Sequence, residues 1–133
     1  MTASRGSVFI IHSHQDNELV RDLARRLCDA GLDPLVDLTD LPVAANWKKT
    51  VRKKIRAADA VLVLMTPAAL NSSWVMTELG MAEGFDRLVI PVSAGLKPRN
   101  LPAPLRTYRI APFDRVDAAI NMLSERLTAA AND

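Results

Sequence analysis

Ala60-Val61-Leu62-Val63-Leu64-Met65 is the stretch that decides the fold. It is apolar at every position rather than at alternate ones. A strand that is apolar on both faces belongs at the centre of a parallel sheet, with helices covering it above and below. The flanking sequence repeats one theme on either side, short β-like runs alternating with helix-like stretches.

Upstream, Ser7–His12 is rich in β-branched and aromatic residues and predicts a first strand. Asp16–Ala30 follows, with Leu19, Val20, Leu23, Ala24, Leu27 and Cys28 at helical spacing, which assigns Cys28 to the buried face. Asp16 stands where an N-cap is expected, and Gly31 just past the end, where a positive φ is tolerated. Leu32–Asp37 predicts a second strand, Leu38–Ala45 a loop around Pro42, and Asn46–Ala57 a helix capped by Asn46, with Val51 and Ile55 inward. Downstream, Pro67–Asn71 is a turn or short helix and Ser73–Phe85 a helix closed by Gly84 or Asp86. Arg87–Val92 predicts a fourth strand, Ser93–Arg106 a proline-rich loop, Thr107–Ala111 a short edge strand and Asp114–Ala130 a last helix. Five strands alternating with helices predict a three-layer, flavodoxin-like α/β fold, with a mainly parallel sheet in the order 2-1-3-4-5 and helices on both faces.

Composition narrows the classes. The chain has 133 residues, 49% apolar and 24% charged, which is a folded domain rather than a disordered or collagen-like chain. With one cysteine, Cys28, neither an intrachain disulfide nor a C-x-x-C site can form. A net charge of +2 does not by itself point to nucleic acid. No apolar run approaches the roughly 18 residues of a membrane span, and Met1–Ser7 lacks the apolar core of a secretory signal, so a soluble cytoplasmic protein is expected. One domain is expected, with its core at about 7–127; its limits are equally those of a piece of a longer chain.

In such folds ligands bind beyond the carboxyl ends of the strands, near the switch point between strands one and three. That rule selects His12–Asp16, Asp37 with its loop, and Thr66–Glu78. His12-Ser13-His14-Gln15-Asp16 matches H-x-H-x-D, but zinc needs three or four ligands and the chain has only these two histidines, so no metal site is expected. A phospho-acceptor receiver is excluded by His12, Met65-Thr66 and Ile110 in the places its acids and lysine would occupy, and no glycine-rich phosphate loop exists. Trp74 and Glu78 lie four apart, on one helical face. A ring that stacks beside a carboxylate suits a cationic, aromatic ligand, with both groups at a cleft mouth. A half-buried helix tryptophan with an exposed glutamate is the plainer reading of that spacing.

Taken in order, four elements resemble a Toll/interleukin-1 receptor (TIR) domain of the bacterial type, over roughly Ser7 to Leu127. They are Val8–Asp16; Leu35-Val36-Asp37 running through Asp40-Leu41-Pro42 to Asn46-Trp47; Ala58–Pro67 continuing to Leu70, Ser72, Trp74 and Glu78; and Arg87–Val92. Two features depart from the family pattern: Pro42 is followed by Val43-Ala44-Ala45 rather than glycine, and His12-Ser13 stand where a basic residue or tyrosine is common.

The resemblance implies an NAD+ glycohydrolase or cyclase that releases nicotinamide in defence or signalling, with Glu78 catalytic and His12, Ser13, Asp37, Trp47 and Trp74 binding substrate. NAD+ is then the substrate, and no cofactor or metal is expected. It also implies self-association through the loop and helix at 38–57, and a sensor domain, fused or separate. The helix Asn46–Ala57 carries Lys48, Lys49, Arg52, Lys53, Lys54 and Arg56 and no acid, which is read first as a solvated face, then as a protein contact, then as a field for an anionic dinucleotide, with nucleic acid last. The alternatives are a non-catalytic TIR interaction module and, more distantly, a nucleoside deoxyribosyltransferase-like enzyme.

Overall fold

The computed structural model describes residues 6–36 and 47–131. Its elements are β1 (Ser7–Ile11), α1 (Asn17–Asp29), β2 (Asp33–Leu35), α2 (Trp47–Ala57), β3 (Ala60–Met65), α3 (Pro67–Leu70), α4 (Ser73–Gly84), β4 (Val89–Ser93), β5 (Ala111–Pro112) and α5 (Val116–Ala131). The five strands form one sheet in the order β2-β1-β3-β4-β5, every pair parallel. The expected architecture is therefore the one observed.

Side-chain alternation distributes the core. Phe9, Ile11, Val61, Val63 and Met65 face one way and pack with Val51 and Ile55 of α2 and Val75 and Leu79 of α4. Val8, Ile10, Leu62 and Leu64 face the other way, against Val20, Leu23 and Leu27 of α1 and Val116, Ile120 and Leu123 of α5. All six residues of β3 are consequently buried, as the continuous apolar run requires. Gly31 ends α1 at φ +83°, and Asp86, at φ +54°, is the turn residue after α4.

Several boundaries differ from the sequence expectation. Phe113–Arg115 is a 3-10 turn ahead of α5, and the loop after β4 contains two more, Pro98–Asn100 and Ala103–Leu105, which tuck Leu101 and Leu105 into the core. The Asn46 cap and the loop Leu38–Ala45 lie outside the described residues. The largest correction is the last strand: Thr107–Ile110 does not pair, and β5 is only Ala111–Pro112. The cause sits on β4. Val61 N–H donates to Leu88 C=O (2.8 Å) and Ala94 N–H to Met65 C=O (2.9 Å). Even-numbered β4 residues thus point their backbone groups at β3, and odd-numbered ones point outward. Pro91 is odd and has no N–H, so the outer ladder fails there.

Cys28 is exposed, not buried. The buried stripe of α1 is Val20, Leu23 and Leu27, and one further residue rotates about 100° away from it.

Candidate functional site

β1 delivers His12 and Ser13 to the carboxyl edge of the sheet, both buried. The chain then tightens into a 3-10 turn, His14–Asp16, whose N-cap is Ser13; its Oγ accepts from Gln15 N–H at 3.2 Å. His12 Nδ1 lies 3.0 Å from the carbonyl of Ser13. The rings of His12 and His14, two residues apart, come together at this turn. Their ring centroids are 6.0 Å apart at 67°, edge to face. No group of three or more metal-ligating side chains exists among the described residues.

Asp16 occupies the cap position of α1 without making a side-chain cap bond there. Its carboxylate instead accepts a 2.5 Å hydrogen bond from Thr66 Oγ1, across 50 residues. Thr66 is itself the N-cap of α3, accepting from Ala69 N–H at 3.0 Å, with Pro67 at the first helical position. One buried hydroxyl thus ties the end of β1 to the end of β3. A threonine directly before a proline is a local cap signal that the sequence reading did not use; its partner, 50 residues away, has no local signal. Within the turn after β1, His14 Nε2 and Asn17 Oδ1 are buried without a hydrogen-bond partner, and such atoms call for an explanation in any folded protein.

Ser72 caps α4 through Val75 N–H (3.2 Å) and sets its rotation. The inward residues are then Val75, Glu78, Leu79 and Ala82, at i, i+3, i+4 and i+7. Glu78 therefore sits inside the apolar stripe. It is 4% exposed, which corrects both the cleft-mouth placement and the exposed-glutamate reading. Trp74, one turn earlier, is half-buried against the core cluster that holds Phe9, Ile11 and Leu79. Trp74 and Glu78 thus lie on the α2/α4 side of the sheet, while His12 and Ser13 lie at its carboxyl edge. Asp37 is outside the described residues, and of Trp47 only the backbone is described, as the first residue of α2.

A family model for the TIR domain matches residues 8–126. The chain belongs to the TIR domain family. Among curated proteins it is similar to the "Probable 2′ cyclic ADP-D-ribose synthase BdTIR" of Brachypodium distachyon, with 27% identity over 103 residues, covering 76% of this chain and 46% of that protein. The chain thus spans about half the length of the curated relative it matches. A metazoan TIR-STING receptor from C. gigas superposes with a TM-score of 0.72 at 22% identity, covering 88% of this chain and 38% of that one. The TIR domain of the Toll-related receptor TRR-2 from Hydra magnipapillata gives 0.68 at 19%, covering 84% and 87%. At these identities the two structures speak for the fold alone. No described helix is long and apolar enough to cross a membrane.

Proposed function

We propose that this TIR domain cleaves the nicotinamide–ribose bond of NAD+, with Glu78 as the catalytic carboxylate and self-association completing the site. The observation that carries the reading is the burial of Glu78 in an otherwise apolar helix stripe, one turn after a half-buried tryptophan. Taking a carboxylate out of water is costly, and packing alone would be better served by leucine at that position. Buried ionisable groups in such places are typical of sites that use their charge. The name of the Brachypodium distachyon relative points to the same chemistry.

The reaction suits a single carboxylate. Ordinary glycosidases need a second carboxyl group to protonate the leaving oxygen. In NAD+ the leaving group is a pyridinium; the electrons of the breaking C–N bond neutralise it, so nicotinamide departs without a general acid. Positive charge then develops on the ribose ring. A carboxylate fixed in a low-dielectric wall stabilises that charge without having to reorganise. Glu78 performs this role, holding the ribose hydroxyls or trapping the anomeric carbon as a nucleophile. Water as acceptor gives ADP-ribose and a proton; a nitrogen of the substrate's own adenine gives a cyclic isomer. Trp74 supplies the stacking surface for the nicotinamide ring. His12, Ser13, Asp37 and Trp47 bind the remainder of the dinucleotide, and a bound substrate gives the orphaned His14 Nε2 and Asn17 Oδ1 a polar partner.

Self-association is supported by charge. Helix α2 holds six of the 17 basic residues and none of the 15 acidic ones, leaving 11 basic against 15 acidic elsewhere. All six side chains are exposed, so the basic helix of one copy meets a net acidic remainder on another. The domain acts in the cytoplasm, in defence or signalling, under a sensor that brings copies together. Concentrated protein incubated with NAD+ and resolved by chromatography tests the reading: nicotinamide appearing with ADP-ribose or a cyclic isomer supports it. Intact NAD+ at every protein concentration leaves a TIR interaction module instead.

A further inference from the structure

The outer edge of the sheet is left unfinished. Pro91 stops the ladder after two pairs, so residues 108–110 do not pair with β4, and a groove of about 520 Å³ opens between them. Val89, Ile90 and Ile110 line its sheet side; Ala118, Ala119 and Met122 line its helix side. Met122 is 67% exposed, the one large apolar side chain among the described residues left to solvent in this way. Three arginines also line the groove: Arg109 from the segment before β5, Arg115 from the turn before α5, and Arg126 on α5. No acid lines it. The ion pairs formed among the described residues use Arg25 and Arg26 and none of these three. The acid of α5 that does pair, Asp117, is turned to Arg26.

We propose that this groove binds an amphipathic anion, an aliphatic chain carrying a carboxylate or phosphate head. The volume falls in the range of small-molecule sites, roughly 300–1,000 Å³. The aliphatic lining takes the chain, since Tyr108 is the one aromatic residue in it. An arginine fork takes the head, as it does planar or tetrahedral oxyanions generally. Arg115 directly precedes the first residue of α5 and Arg126 lies in its third turn, roughly 16 Å further along the axis, and both line the groove. The trough thus has a cation near each end, with Arg109 on the opposite wall, and the acid-free lining disfavours cationic ligands. The inference does not depend on the role given to Glu78.

The test is calorimetric titration of the whole chain with decanoate and with decyl phosphate, each below its micellar range, and with decanol as the uncharged comparator. The expected result is saturable binding of one anion per chain, at least tenfold tighter than decanol, with the tighter of the two anions identifying the head group. Met122→Glu puts an acid on the exposed helix wall, where folding is not at stake; it should weaken anion binding at least tenfold with an unchanged melting curve. Arg126→Ala should weaken it several-fold. Equal affinity for decanol, unsaturable uptake at many sites, or undiminished binding by Met122→Glu overturns the proposal. So does sedimentation showing a dimer that Met122→Glu dissociates, together with no anion bound, for the groove is then covered by a second copy.

Discussion

Replacing Thr66 by valine keeps the shape of the side chain and removes its hydroxyl, so packing of the buried site is preserved. Two hydrogen bonds go with it: the one to the Asp16 carboxylate and the one from Ala69 N–H. A hydrogen bond to a charged partner is worth about 1.5–3 kcal/mol, and loss of an N-cap about 1 kcal/mol. Asp16 is half-buried and can turn partly to water, which recovers some of the first term. The expected loss is about 2–3 kcal/mol, or roughly 8–12 °C in Tm for a domain of this size. Thr66→Ser restores the hydroxyl and gives up one methyl, so it should lose only about 1 kcal/mol. Chemical denaturation of Thr66→Val, Asp16→Asn and the double variant should give a coupling of about 1–2 kcal/mol between the two positions. A Thr66→Val protein melting within 2 °C of wild type, or no lower than Thr66→Ser, would refute the tie between the two strand ends. So would a coupling of zero.

Three further outcomes are expected. Trp74→Ala should cost about 2–3 kcal/mol, less than the 3–5 of a fully buried ring, because Trp74 is half-buried; its KM for NAD+ should rise more than its kcat falls, checked by melting and steady-state kinetics. Asp22 is hydrogen-bonded by Arg26 and Arg25, chiefly Arg26, which holds its carboxyl below the ordinary 3.8; its contribution is present above that value and lost as the pH falls through the lowered one, so the unfolding free energy of Asp22→Asn, from chemical denaturation at a series of pH values, should lie below wild type at pH 7 by under about 1 kcal/mol and converge with it in strong acid. Specific activity should rise with protein concentration, and charge reversal at the exposed Lys53 and Lys54 should abolish that rise with the melting curve unchanged; a flat specific activity across the dilution series would show that the site is complete in one chain.

The order of the elements was legible because β3 announces itself: a strand buried on both faces has no polar position, and that pattern has few other solutions. Gly31 was legible for a similar reason, since a left-handed residue at a helix end is a local demand. What the sequence hid depended on partners. Thr107–Ala111 reads as a strand, yet pairing is decided by the neighbouring strand, where Pro91 lacks the donor. Cys28 and Glu78 both turned on helix rotation. The spacing of α1 admits a wide stripe that includes Cys28, whereas the packed stripe is Val20, Leu23 and Leu27. The spacing of α4 sets Glu78 beside Trp74 but does not reveal that it shares the inward face with Val75 and Leu79, because polarity argued for the outward one. The pairing of Asp16 with Thr66 is a contact between strand ends that no local pattern encodes.

The central claim is that the charge on the buried Glu78 carboxylate cleaves NAD+. Its most direct test is the rate of nicotinamide release by wild type and by Glu78→Gln at the same high concentration, with folding of both confirmed by circular dichroism. Glutamine keeps the size and much of the hydrogen bonding and removes only the charge. The account predicts a fall on the order of 10²–10³-fold, the range for losing one strong electrostatic contact with a transition state. A folded Glu78→Gln protein that turns over NAD+ at a rate near that of wild type would contradict it.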